Sequence, residues 1–232
     1  MRKLFAFIPV LSALLASAGT AARGQTDVAV SAYGAFNGST NGNGTTQSPS
    51  DQAGFLIEAR YIRNPLVGYE LTYSFNRANE AYMSSIEPPC PAGGTTPCGP
   101  TKTWAAVPAN AHEISGDWVA SLRLGAFRPF ALAGAGVFVS VPASGTVMTT
   151  TQVCGTVNNL CSQTTATSST SIQTTAVFVY GARVDWTLLP HLGIRVQYRG
   201  NVYKAPELAQ AFRSTGSFTQ SAQPVAGIFF RF

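Results

Sequence analysis

Apolar and polar side chains alternate with period two along much of this chain, as they do on a strand with two unlike faces. Between Ala53 and Ile62, Ala53, Phe55, Ile57, Ala59 and Tyr61 share one face, and Gly54, Leu56, Glu58 and Arg60 the other. After Arg63-Asn64-Pro65 the pattern resumes, with Val67, Tyr69, Leu71, Tyr73 and Phe75 opposing Gly68, Glu70, Thr72, Ser74 and Asn76. An amphipathic helix would group apolar residues three and four apart, so these segments are strands. The stretches 113–123, 178–186, 192–199 and 225–232 alternate in the same way. Two others are weaker: Val28 to Phe36 alternates roughly, and Phe130 to Val141 is so uniformly apolar and Gly-rich that its faces cannot be assigned.

Eight strands result, and the connections between them alternate in length. Residues 63–66, 125–129 and 187–191 are short; residues 38–51, 79–110, 142–171 and 204–217 are long, polar and rich in Gly, Pro, Ser and Thr. Short turns at one end and long loops at the other predict an all-β fold, an eight-stranded antiparallel up-and-down transmembrane β-barrel. No linker divides residues 25–232, which are expected to form one barrel domain.

Alternation alone leaves a soluble, lipocalin-like barrel open, because there too one face is polar. Three features favour lipid outside and polar groups inside. The polar face is charge-balanced, with Glu58, Glu70, Glu113, Asp117 and Asp185 against Arg60, Arg123, Arg183, Arg195, Arg199 and Arg231, and it has no Lys. Arg suits buried multidentate pairing, whereas a solvated face is usually rich in Lys. Tyr61, Trp186, Phe230 and Phe232 cluster toward the short-turn end, as an interfacial aromatic belt does. The last residue, Phe232, lies within the pattern of the final strand.

Residues 1–24 read as a secretory signal peptide: Arg2 and Lys3, an apolar stretch from Leu4 to Leu15, then small residues before Gln25. Without Arg2 and Lys3 the formal charge falls from +5 to +3. The remaining basic residues form no run, which gives no sign of a nucleic-acid partner. Export, an even number of cysteines and their loop context favour two local disulfides, Cys90–Cys98 and Cys154–Cys161. Free thiols remain an alternative; a zinc site would need tighter spacing and nearby His.

The signal peptide, the eight-strand alternation, the segment Arg128-Pro129-Phe130 to Gly136 and the ending Gly227-Ile228-Phe229-Phe230-Arg231-Phe232 resemble the OmpA-like outer-membrane β-barrel family over residues 27–232. The resemblance implies residence in the bacterial outer membrane, contact with its lipid, and assembly by the barrel-assembly machinery, with Phe230 and Phe232 as the terminal aromatic signal. It covers the barrel alone, without the peptidoglycan-binding domain of full-length OmpA, so no cell-wall tether is expected.

An eight-stranded barrel is just wide enough for side chains to fill it, so the inward acids and arginines are expected to form a packed charge network. His112, Glu113 and Ser115 are the one grouping reminiscent of lipid A-modifying barrels, but Glu113 and Ser115 project opposite to His112. No cofactor or metal motif is present. The functional expectation is a non-enzymatic barrel acting in envelope integrity or surface contact through its long loops, with an extracellular partner. A narrow channel or lumen-binding barrel is the alternative, and a lipid A-modifying enzyme a more distant one.

Overall fold

The computed structural model describes residues 24–64, 66–87, 99–154 and 161–232. Among the described residues twelve strands form one sheet. They are β1 (Gln25–Asn37), β2 (Thr40–Gly42), β3 (Thr45–Pro49), β4 (Gln52–Asn64), β5 (Val67–Ile86), β6 (Thr101–Ser121), β7 (Phe127–Pro142), β8 (Thr146–Cys154), β9 (Cys161–Ser169), β10 (Gln173–Leu189), β11 (Leu192–Lys204) and β12 (Phe218–Arg231). Eight of them close a ring in the order β1-β4-β5-β6-β7-β10-β11-β12, every pair antiparallel. The ring shuts where β1 meets β12, with Val28 opposite Phe230 and Tyr33 opposite Val225.

Within the ring the faces follow the alternation. Val30, Phe55, Tyr69, Leu71, Ile114, Trp118, Val184, Trp186, Ile194 and Ile228 are exposed on the outside, while the acids and arginines point inward. The stretch 130–141, unreadable from sequence, places Phe130 and Leu132 inside the barrel. Gly134 follows on that inner face, because a Cβ there would lie 2.1 Å from Asp117 Oδ1. Aromatic rings crowd the short-turn rim, where Phe127 stacks on Trp186 and Phe230 meets Phe232 edge-on.

The segments expected to be long loops are largely strand. β5 and β6 run 20 and 21 residues, twice the roughly 9–11 that a tilted spanning strand needs. They stay in register from Gly68–Val119 out to Ile86–Thr101. β3 pairs with the far part of β5 and β8 with that of β6, and the hairpin partners β2 and β9 lie outside them. The loop expectation for 38–51, 79–110 and 142–171 therefore fails over β2, β3, β8, β9 and the extensions of β5 and β6. Pro, Gly, Ser and Thr mark turns only statistically, and a partner strand overrides that preference. Pro108 is tolerated because β7 ends beside it at Pro142, so its missing N–H removes little from the ladder.

Polarity inverts along these long strands. On β5 the outward residues change from Tyr73 and Phe75 to Arg77 and Asn79, and on β6 the inward ones change from Glu113 to Ala111, Ala109, Val107 and Ala105. The extended sheet is thus mixed outside and more apolar inside, and residues 205–217 fold into its hollow. Leu208, Ala209 and Phe212 pack there against Tyr82, Ala105, Val107 and Ala109. This cap is tied to both sheet edges: Gln210 N donates to Ser169 O on one side and Asn43 Nδ2 to Ser214 O on the other.

Glu80 sits beneath the cap beyond the apolar band, receiving a hydrogen bond from Gln47 Nε2, which also donates to Pro206 O. Burial pushes its carboxyl up from 4.5 to about 7, and Gln47 offsets this only in part. A folded-state pKa above the open-state value means that stability is complete below 4.5 and is lost as the pH rises through about 7. The loss amounts to about 3 kcal/mol at most. The Leu208 amide, bonded to Tyr82 Oη, reports the cap. Its hydrogen-exchange protection should fall across that range in the native chain and stay level in Glu80→Gln; equal profiles would mean that Glu80 does not govern the cap.

Candidate functional site

The lumen is the densest polar feature of the molecule, and strand register builds it. Pairing sets Asp27 beside Arg60, Arg60 beside Glu70, and Asp185 beside Arg195. Arg60 Nη2 lies 2.6 Å from both Asp27 Oδ2 and Asp185 Oδ2. Arg195 spreads its fork over three acids: Nη1 to Glu58 at 2.6 Å, Nε to Asp185 at 2.9 Å and Nη2 to Asp27 at 3.2 Å. Arg183 Nη1 donates to Glu58 at 3.2 Å, and its Nη2 touches Glu70 at 2.6 Å without hydrogen-bond alignment. Further along the barrel Arg199 pairs with Glu113 and donates to Ser115 Oγ at 2.9 Å. Asp117 accepts from Ser115 and Thr72.

Aromatic faces complete the packing. The Phe130 ring lies under Arg60 at 4.2 Å and Arg183 at 4.8 Å, and the Phe229 ring under Arg195 at 5.6 Å. Such contacts hold guanidinium planes flat and dry. Above this layer a chamber of about 10 Å³, enough for one water, is lined by Asn37, Asn76, Glu80, Phe138, Asn201 and Tyr203. The apolar cap lies above that.

The structure brings nine of the eleven sequence-predicted charges into this interior: Glu58, Arg60, Glu70, Glu113, Asp117, Arg183, Asp185, Arg195 and Arg199 are all buried. Arg123 and Arg231 instead lie at the short-turn mouth. Asp27 is a full member that the rough alternation of the first strand concealed, although its spacing from Ala29 and Ser31 on the inward face was there to be read. Cys154 and Cys161 face each other across the β8–β9 hairpin and are disulfide-bonded. Cys90 and Cys98, and the proposed signal segment up to residue 23, lie outside the described residues. His112 points outward and pairs with Tyr73 Oη at 2.9 Å, whereas Glu113 and Ser115 engage Arg199 in the lumen, so the three do not meet. Phe230 and Phe232 are exposed at the rim.

Arg195 has the most partners of the network, so Arg195→Leu leaves three acids without it. Breaking a buried pair in this way costs about 3–5 kcal/mol. Arg213 is exposed in the cap and has no ion pair among the described residues. Arg195→Leu should therefore lower the urea unfolding midpoint of the refolded barrel clearly while Arg213→Leu leaves it in place; coincident midpoints would contradict a structural role for the network.

The chain matches the family model described as outer membrane protein beta-barrel domain over residues 6–220. No curated protein matches it. Among solved structures it is similar to the outer membrane protein OprG from Pseudomonas aeruginosa, at 13% identity over 90% of this chain and 96% of that one, with a TM-score of 0.50. It is also similar to Neisserial surface protein A, at 14% identity over 89% of this chain and 97% of that one, with a TM-score of 0.43. Ail, the attachment invasion locus protein of Yersinia pestis, is 11% identical over 90% of this chain and 99% of that one, with a TM-score of 0.41. Identities this low speak for the fold alone. With the family match covering most of the sequence, and with a closed ring whose outer face is apolar, this chain belongs to the outer-membrane protein β-barrel domain family and is a protein of the bacterial outer membrane.

Proposed function

We propose that this is a non-enzymatic surface protein of the outer membrane, acting in envelope integrity or surface contact through the sheet that β2, β3, β8, β9 and the far parts of β5 and β6 raise above the bilayer. The observation that carries this reading is the combination of a filled lumen with a strand-paired extension. Ion pairs, a one-water chamber and an apolar cap succeed one another along the axis, which disfavours a conduit. The extension exposes a wide face rich in Ser and Thr, including nearly all of β9. An even number of strands returns the chain to its starting side, so both mature termini and the short turns face the periplasm and the extension faces outward.

Two linked measurements test this. An epitope inserted after Gly44, at the β2–β3 turn, should be labelled on intact cells, and one after Asn64 should not. Cells lacking the gene should lose detergent resistance or surface adhesion, regained with the full chain but not with one lacking residues 146–169. Full rescue by the shortened chain, or stepwise conductance in planar bilayers, would favour the channel reading instead.

The terminal aromatic pair is the proposed contact for the barrel-assembly machinery. Phe232 lies at the rim with its ring against Phe230. Deleting it should reduce assembled protein in cells and leave precursor in the periplasm, while refolding into detergent stays near normal. Undiminished assembly in cells would reject this role.

A further inference from the structure

The short-turn mouth of the barrel holds a cavity of about 150 Å³ lined by Arg123, Gly125, Ala126, Arg128, Thr187 and Arg231. Three guanidinium groups surround it and no acid does. In register Arg231 stands opposite Asp27, and Arg128 opposite Asp185. Both carboxylates are already held by Arg60 and Arg195. None of the three mouth arginines belongs to an ion pair among the described residues.

The cations are held in place without a direct ion pair among the described residues. Arg128 donates from Nη1 to Gln25 Oε1 at 2.7 Å and from Nε to Ser121 Oγ at 3.2 Å, both neutral acceptors. Arg128 and Arg231 lie 5.3 and 5.4 Å from the Phe130 and Phe229 ring centroids. Arg231 Nε is buried with no acceptor, a donor still in need of one. Arg forks match the paired oxygens of a phosphate, and a partly desolvated site strengthens that match. The volume holds several waters at roughly 30 Å³ each, or one tetrahedral oxyanion with part of its hydration.

We propose that this mouth is a binding site for a phosphate-type oxyanion, held by Arg123, Arg128 and Arg231. Leu122, Leu124 and Phe127 stand exposed on the same rim, so the oxyanion could belong to a soluble phosphate compound or to a lipid headgroup with its acyl chains outside.

The barrel refolded in nonionic maltoside micelles separates these sources. Amide resonances of Gly125, Ala126 and Thr187 are followed while inorganic phosphate is added, and in a second arm while phosphatidylglycerol is doped into the micelles. A saturable shift with phosphate identifies a soluble ligand, and one confined to phosphatidylglycerol a headgroup; either supports the site. Arg123→Gln and Arg231→Gln should each weaken binding by roughly tenfold or more. Arg123 is exposed in a turn, so its variant keeps the fold, as unchanged resonances of the lumen network would report. No saturable shift in either arm, the same shift with sodium chloride at equal ionic strength, or wild-type affinity in both variants would overturn the proposal.

Discussion

Hydrocarbon offers no hydrogen bonds, and that single constraint orders the rest of this structure. Each backbone N–H and C=O in the apolar band must find a partner within the sheet, so β1 has to meet β12 and no edge can remain at that depth. Closure then fixes where side chains go. One face must dissolve in lipid, so the polar sets of most ring strands are driven into a lumen too narrow for bulk water. Charges placed there must satisfy one another, which explains why the interior uses Arg forks spread over several carboxylates.

Beyond the band the solvent is water, and the same strands obey the opposite rule. β5 and β6 carry acids and small polar groups inward at one level and Ala, Val and Tyr inward a few residues later. An open curved sheet with an apolar inner face needs a cover, and residues 205–217 supply it through Leu208 and Phe212. The molecule thus has two cores stacked along one axis, one built around ion pairs and aromatic rings inside the membrane and an apolar one above it. The chamber holding Glu80 lies at their junction, where neither kind of packing is complete.

This arrangement bears on function because it leaves few free surfaces. The lumen is occupied, the band belongs to lipid, and what remains is the polar extension at one end and the arginine-lined mouth at the other. Edges appear only where water can satisfy them: β2 and β9 end the sheet in the extension, where an unpaired strand is also a place for another chain to dock.

The sequence by itself determined the ring strands, the faces of most of them, the charge-bearing lumen and the family, because period-two alternation survives wherever the two faces meet different media. It also pointed to the Cys154–Cys161 bridge, by spacing and context. It did not determine the extension. Residues 101–110 alternate Ala and Val with Trp104, Ala106 and Pro108, a contrast too faint to read until a cap supplies an apolar inside. Phe130 to Val141 was silent for a related reason, since Phe130 faces inward to cover guanidinium groups rather than to shun them, and Leu132 packs beside it. Asp27 entered the network, and Arg123 and Arg231 left it for the mouth, because register and depth decide which charges meet. Both are properties of strand pairing across residues far apart in sequence, which one strand's pattern does not encode.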